Sequence, residues 1–188
     1  AAYARFAGSL GHPVPWIFGD EFIYLENARN LAENGTFAVR EQPLFLSLVT
    51  SLLDAPGFAL FGDTQSAYEW IKLINAIVMA SAALPAYGLA RMVVSVRLAI
   101  AFAALVLAWP AYAYVHVVMT EPAFLPAVML AVWLLARAVE SPTIGRQCAA
   151  IGGVALCLGV RLQLLVLLVA VPIICVVAAV LGSVRGAG

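Results

Sequence analysis

Ten acids and ten bases lie unevenly along 188 residues, and a few of them stand where side chains could act on a ligand. Asp20 and Glu21 are adjacent, within Phe18-Gly19-Asp20-Glu21-Phe22-Ile23-Tyr24, just upstream of long apolar stretches. Carboxylates beside a bilayer are costly unless solvated or paired, so this pair marks a candidate site. A positioned carboxylate can act as general base, contributing typically ~10²–10⁴-fold to a rate. Its neighbour can orient a substrate or help hold a cation. Glu121 is the only acid between Glu69 and Glu140 and falls between two apolar segments, where it must face a polar cavity or find a partner. Pairing with Asp20 across a mouth, directly or through a shared cation, is the sharpest expectation. Arg161 interrupts a run of Gly, Val, Leu and Cys. Its planar fork suits a phosphate and can stabilise charge on a leaving group. His116 lies one turn before Thr120-Glu121.

Each of these residues also has an ordinary use. Asp20 is a good N-cap, and Glu21 complements a helix dipole. Glu121 ahead of Pro122 suits a solvated helix start. Arg161 can snorkel to headgroups, and His116 can be a satisfied interfacial residue.

The elements that must position them follow from composition and periodicity. The chain is 64% hydrophobic and 11% charged, against about 45–50% and about 25% in soluble domains. With a mean hydropathy of +1.01 it reads as an integral membrane protein. No basic run points to nucleic acid. Cys148, Cys157 and Cys175 match no zinc or redox spacing and read as buried, inert thiols. Residues 1–19 are loop-like, rich in Gly and Pro, and carry no signal-peptide pattern. Together with the start at Ala1, this predicts a fragment cut at both ends.

From Asp20 to Asn34-Gly35, helical spacing of Tyr24, Leu25, Ala28, Leu31 and Ala32 predicts a surface helix too polar to span. Residues 44–62 are apolar but interrupted by Asp54, Pro56 and Gly57, which predicts a re-entrant or interfacial segment. Asp63 is expected to cap the next helix. Tyr68, Trp70, Trp109, Tyr112 and Tyr114 are expected to form an interface belt. Two domains result: residues 1–70, an outer loop with interfacial helices and the acidic pair, and residues 71–188, about five spans. The spans are expected at 71–92, 98–118 (bent or ended near Pro110), 122–138, 147–159 and 164–181. One helix over 147–184 would be ~57 Å long at ~1.5 Å per residue, so a turn near Gly159–Arg161 is expected. Alternating crossings place Arg91, Arg97, Arg137, Arg146 and Arg185 on one side, which the positive-inside rule makes cytoplasmic. Asp20, Glu21, Glu41, Asp63, Glu69, Glu121 and Arg161 then share the outer side.

The order of features resembles the GT-C superfamily of membrane glycosyltransferases, which includes protein O-mannosyltransferases and aminoarabinose transferases. The residues that carry the resemblance are Asp20-Glu21 with Tyr24, Ala28-Arg29-Asn30-Leu31-Ala32-Glu33-Asn34-Gly35, Gln42-Pro43-Leu44, Phe61-Gly62, Leu73-Ile74-Asn75-Ala76, Tyr87-Gly88-Leu89-Ala90-Arg91, Trp109-Pro110, Thr120-Glu121-Pro122 and Gly159-Val160-Arg161. The resemblance implies an all-α, polytopic fold and a multi-pass location in the plasma membrane with an extracytoplasmic active face. It implies transfer of a sugar from a polyprenyl phosphate to an acceptor, with Asp20 as base and Glu21 beside it. Substrate contacts then fall to Glu121, Arg161, Tyr24, His116 and Arg40. Some members use a divalent cation, and Asp20 with Glu121 would hold one here; the sequence leaves that open. The chain departs from the family in lacking a membrane helix before the acidic pair and further spans beyond residue 188. Two other classes stand beside this reading: a transporter or flippase module, and a non-catalytic membrane subunit. Clustering of polar residues at one face favours the enzyme over the transporter.

Overall fold

The computed structural model describes residues 19–108, 114–166, 169, 172–173 and 176–177. Over these residues the chain is mostly helical. Helix α1 (Gly19–Asn34) carries Asp20 and Glu21 in its first turn, where carboxylates offset the positive end of the helix. Asp20 is therefore inside the helix and not its cap. The helix stops where expected: Gly35 has φ 68°, and its N–H donates to the Leu31 carbonyl at 3.1 Å, a left-handed close that suits glycine. Its inward face is more polar than the periodicity implies, because Glu21 and Asn27 are buried with Ala28. Asn27 Nδ2 donates to Ser51 Oγ at 3.1 Å and ties α1 to the next helix.

A short hairpin departs from the expected all-helical chain. Strands β1 (Ala38–Val39) and β2 (Gln42–Pro43) pair antiparallel, Ala38 opposite Pro43. The two turn residues, Arg40 and Glu41, have φ of 49° and 65°. Such turns favour Asn-Gly, and ordinary side chains there are strained. Contacts to α1 hold the turn: the Arg40 N–H donates to Glu26 Oε1 at 2.9 Å, and its guanidinium lies 5.7 Å from the Phe22 ring centre.

The expected break at Asp54, Pro56 and Gly57 does not occur. Helix α2 runs Leu48–Leu60 straight through them. Proline removes one backbone donor, but packing offsets the loss. At Gly57 an added Cβ would meet the Ala67 carbonyl at 3.0 Å and Trp70 Cδ1 at 3.1 Å, so only glycine lets the next helix approach this closely. That helix, α3 (Thr64–Ala80), is capped as expected by Asp63, whose carboxylate accepts from the Ser66 N–H at 2.8 Å. These hydrogen bonds hold the Asp63 carboxyl below its ordinary range. Helix α3 runs through residues 70 and 71, where the sequence divides loop from membrane domain.

The first expected span is two helices. Helix α3 ends at Ala80, and α4 covers Ala83–Arg91. Pro85 explains the break, since its ring has no N–H to donate and clashes with the carbonyl four residues earlier, that of Ser81. Helix α5 (Val96–Leu107) ends three residues before Pro110, where the second span is expected to bend or end. Trp109, Pro110 and Tyr112 lie outside the described residues; the chain is next described as a 3₁₀ turn at 114–116. Helix α6 (Glu121–Glu140) matches the third expectation. Helix α7 (Ile144–Val160) is followed by extended Arg161 (φ −152°) and a 3₁₀ turn at Leu162–Leu165, which is the expected turn. The fifth expected span lies largely outside the described residues, as does Cys175. Cys157 is buried, whereas Cys148 is exposed on α7, against expectation.

Two stretches, Thr64–Arg91 and Glu121–Glu140, are long and apolar enough to cross a membrane. The packing around them is close. Ala123, Ala127 and Ala131 of α6 recur every four residues and meet Cys157 and Val160 of α7, with Val49, Leu53 and Val78 against them. Small residues at that spacing let helices approach. A second cluster joins Tyr68, Ile71 and Val118 to Tyr24, Leu25 and Phe58.

Candidate functional site

Of the adjacent acids, Asp20 is exposed and Glu21 has 0% exposure. Consecutive helix residues point about 100° apart, so one carboxylate can face solvent while its neighbour turns inward. Glu21 Oε1 accepts from Tyr68 Oη at 2.7 Å and from the Val118 N–H at 3.0 Å. Tyr68 Oη also lies 3.3 Å from the His116 carbonyl. One carboxylate oxygen thus joins α1, α3 and the segment leading into α6. Hydrogen bonds to an ionised acceptor contribute about 1.5–3 kcal/mol each.

The sequence assigns Tyr68 to an interface belt, but it is fully buried and anchors Glu21. Lys72, one turn on, is also fully buried, and its ammonium stands 4.8 Å from the centre of the Tyr68 ring. Sequence reasoning misses Tyr68 and Lys72 as part of the site. Their spacing of four, which puts them on one helix face, is the signal that could have found them.

Three residues beyond Val118, Glu121 opens α6. Its Oε1 lies 3.1 Å from Arg161 Nη1, an ion pair whose side chains are 21% and 31% exposed. The guanidinium also stands 5.6 Å from the Phe124 ring centre. The expected partner of Glu121 is Asp20; the partner found is Arg161, brought in because α7 runs back along α6 to the same end. Asp20-Glu21, Glu121 and Arg161 are therefore gathered at one end of the helices, with Val118 as the link. Tyr24 packs against the Tyr68, Ile71 and Val118 cluster. Arg40 lies apart on the hairpin, its N–H donating to Glu26 and its guanidinium over Phe22.

No known protein family, curated protein or solved structure matches this chain.

Among the described residues the donors do not assemble a divalent cation site. No group of three or more His, Cys, Asp or Glu side chains among them could hold a metal. Glu121 is engaged by a guanidinium, and a fixed positive charge beside a carboxylate opposes a cation there. What the arrangement offers is an exposed carboxylate on an anchored helix start and, at the same end of the helices, a partly exposed guanidinium oriented by its own carboxylate partner.

Proposed function

We propose that this chain forms the front part of a GT-C type membrane glycosyltransferase, moving a sugar from a polyprenyl phosphate to an extracytoplasmic acceptor. The observation that carries this reading is the gathering of Asp20, Glu21, Glu121 and Arg161 at one end of the helices. Asp20 takes the proton of the acceptor as its nucleophilic atom bonds to the anomeric carbon. The bond from that carbon to the phosphate oxygen breaks, and the electron pair leaves with the phosphate. Arg161 stabilises the charge that collects on it. Glu21 fixes the position of Asp20 through Tyr68 and Val118, so it is a positioning residue.

A multi-pass arrangement fits this chemistry. Helix α6 has 20 residues, or ~30 Å at ~1.5 Å per residue, which matches a hydrocarbon core of about 30 Å. Glu121 opens it and Arg137 lies near its far end. At that far end, Arg146 Nη1 donates to the Arg137 carbonyl at 3.4 Å, so these two bases share a side, which positive-inside makes cytoplasmic. Val93, Ile144 and Leu84 are 83%, 82% and 73% exposed. Apolar surface of that kind suits acyl chains better than water.

The test is sugar transfer from radiolabelled polyprenyl-phosphate sugars in membranes containing the full-length protein. Wild type should transfer, and Asp20→Asn should lose ~10²–10⁴-fold at equal protein level. Transfer untouched by Asp20→Asn moves the base elsewhere, and no transfer from any donor removes the enzyme reading.

A further inference from the structure

Four buried polar side chains form a layer that the proposed chemistry does not use. They are Thr50 and Asp54 on α2, Asn75 on α3, and Thr120 ahead of α6, with exposures of 1%, 0%, 2% and 0%. Two sets of contacts fix their level. On one side Gly57 meets Ile71, and Ile71 packs with Val118. On the other side Val49 and Leu53 pack with Val78 around Ala123. Asp54 falls between Leu53 and Gly57, Asn75 between Ile71 and Val78, and Thr120 between Val118 and Ala123. Thr50 is one turn from Asp54 on the same face of α2. The layer therefore sits between two apolar clusters, where three elements meet.

Its polar atoms are unused by the described residues. Both Asp54 carboxylate oxygens, Thr50 Oγ1, Thr120 Oγ1 and Asn75 Nδ2 have no hydrogen-bond partner among the described residues. Buried polar groups are nearly always paired, so the four oxygens among these atoms call for a guest. Asp54 is the one acid of the four. Of the charged groups on the elements packed against α2, Glu21 is bound to Tyr68 and Val118. Glu26 accepts from Arg40, and Arg29 reaches Thr64. Lys72 lies over the Tyr68 ring, and Arg161 is paired with Glu121. Burial alone, with no charged neighbour, pushes the Asp54 carboxyl well above its ordinary range.

We propose that Asp54, Thr50 and Thr120 bind a monovalent cation, with Asp54 as its counter-charge and the two hydroxyl oxygens as neutral ligands. Oxygen donors select a hard cation. One carboxylate neutralises one positive charge, whereas a divalent ion would leave a net charge between two apolar clusters, which is costly. The site adjoins the acidic mouth through Thr120, the residue before Glu121, but does not depend on the glycosyltransferase reading.

The test uses the full-length protein in detergent at pH 8, with NaCl, KCl or choline chloride at one ionic strength. Wild-type Tm should rise with sodium or potassium concentration and stay flat in choline. The half-saturating concentration should rise at least tenfold between pH 8 and pH 6, as protons compete for Asp54. Asp54→Asn should abolish the cation response and, in choline, melt no lower than wild type. Should that variant not fold, Thr50→Val and Thr120→Val, which keep the carboxylate, should each weaken half-saturation about tenfold. A wild-type Tm that follows pH but not sodium or potassium would overturn the proposal and leave Asp54 carrying a proton instead. A cation response unchanged in all the variants would overturn it equally.

Discussion

Glu21 and Asp54 are both fully buried carboxylates, and the fold treats them in opposite ways. Glu21 receives a phenol and a backbone N–H on one oxygen. Asp54 receives nothing from the described residues, and burial alone raises its carboxyl well above the ordinary range. The first carboxylate is part of the scaffold, a joint between α1, α3 and the start of α6. The second is a demand for positive charge, which its neighbours do not supply. Burial by itself therefore says little about a carboxylate's role; the partners around it decide whether its charge is satisfied in advance or kept for something that comes and goes.

Substitutions can break or sharpen this contrast. The largest effect on stability is expected at the joint. Glu21→Ala strands the Val118 N–H in the interior and leaves the Tyr68 hydroxyl its longer contact to the His116 carbonyl, and should cost about 1–3 kcal/mol, the range for one stranded group. A detergent-based denaturant melt measures it, and a loss below about 1 kcal/mol, the low end for one stranded group, would mean that Glu21 is not a joint. Asp54→Asn should go the other way in choline buffer. A carboxyl raised by burial gives its full stability only below the ordinary carboxylate range, and that stability is lost as pH rises through the raised value. Asparagine does not titrate, so the variant's Tm advantage should grow from pH 5 to pH 8. An advantage that is constant from pH 5 to pH 8 would show that the Asp54 carboxyl is not raised in the folded protein, because folded and unfolded chains would then bind the same number of protons. A smaller effect is expected at the mouth: Glu121→Gln should cost about 1 kcal/mol or less, as partly solvated ion pairs do, while weakening the hold on Arg161. The smallest is Asp63→Ala. Asp63 is lowered by its hydrogen bonds to Ser66, so its contribution is present above the ordinary carboxylate pKa and fades as pH falls through the lowered one. Scanning Tm from pH 6 to pH 2 should show the difference from wild type vanish at the acid end.

Much of the helical layout is legible in the sequence because local chemistry decides it. Asn34-Gly35 stops α1, Asp63 starts α3, and Arg161 separates α7 from the 3₁₀ turn at Leu162–Leu165. Each depends on groups within four residues: a left-handed glycine, a capping carboxylate, a chain leaving the helical region. Local reading fails where its signals conflict with packing. Asp54, Pro56 and Gly57 look like a break, yet α2 continues because Gly57 seats against α3. Pro85 has the same local weight, yet the chain does break ahead of it, between Ala80 and Ala83. The hairpin at Arg40-Glu41 is invisible to such reading because its turn residues are not those that favour such a turn.

The sequence by itself determined which residues could do chemistry and which end of each apolar segment they occupy, since composition, periodicity and caps are local properties. That put Asp20, Glu21, Glu121 and Arg161 at one end of the molecule. Only the tertiary structure decided their partners: Glu121 with Arg161, Glu21 with Tyr68 and Val118, and Asp54 with none among the described residues. A carboxylate's partners come from elements tens of residues away, and nothing in a local pattern records which helix will be packed beside it.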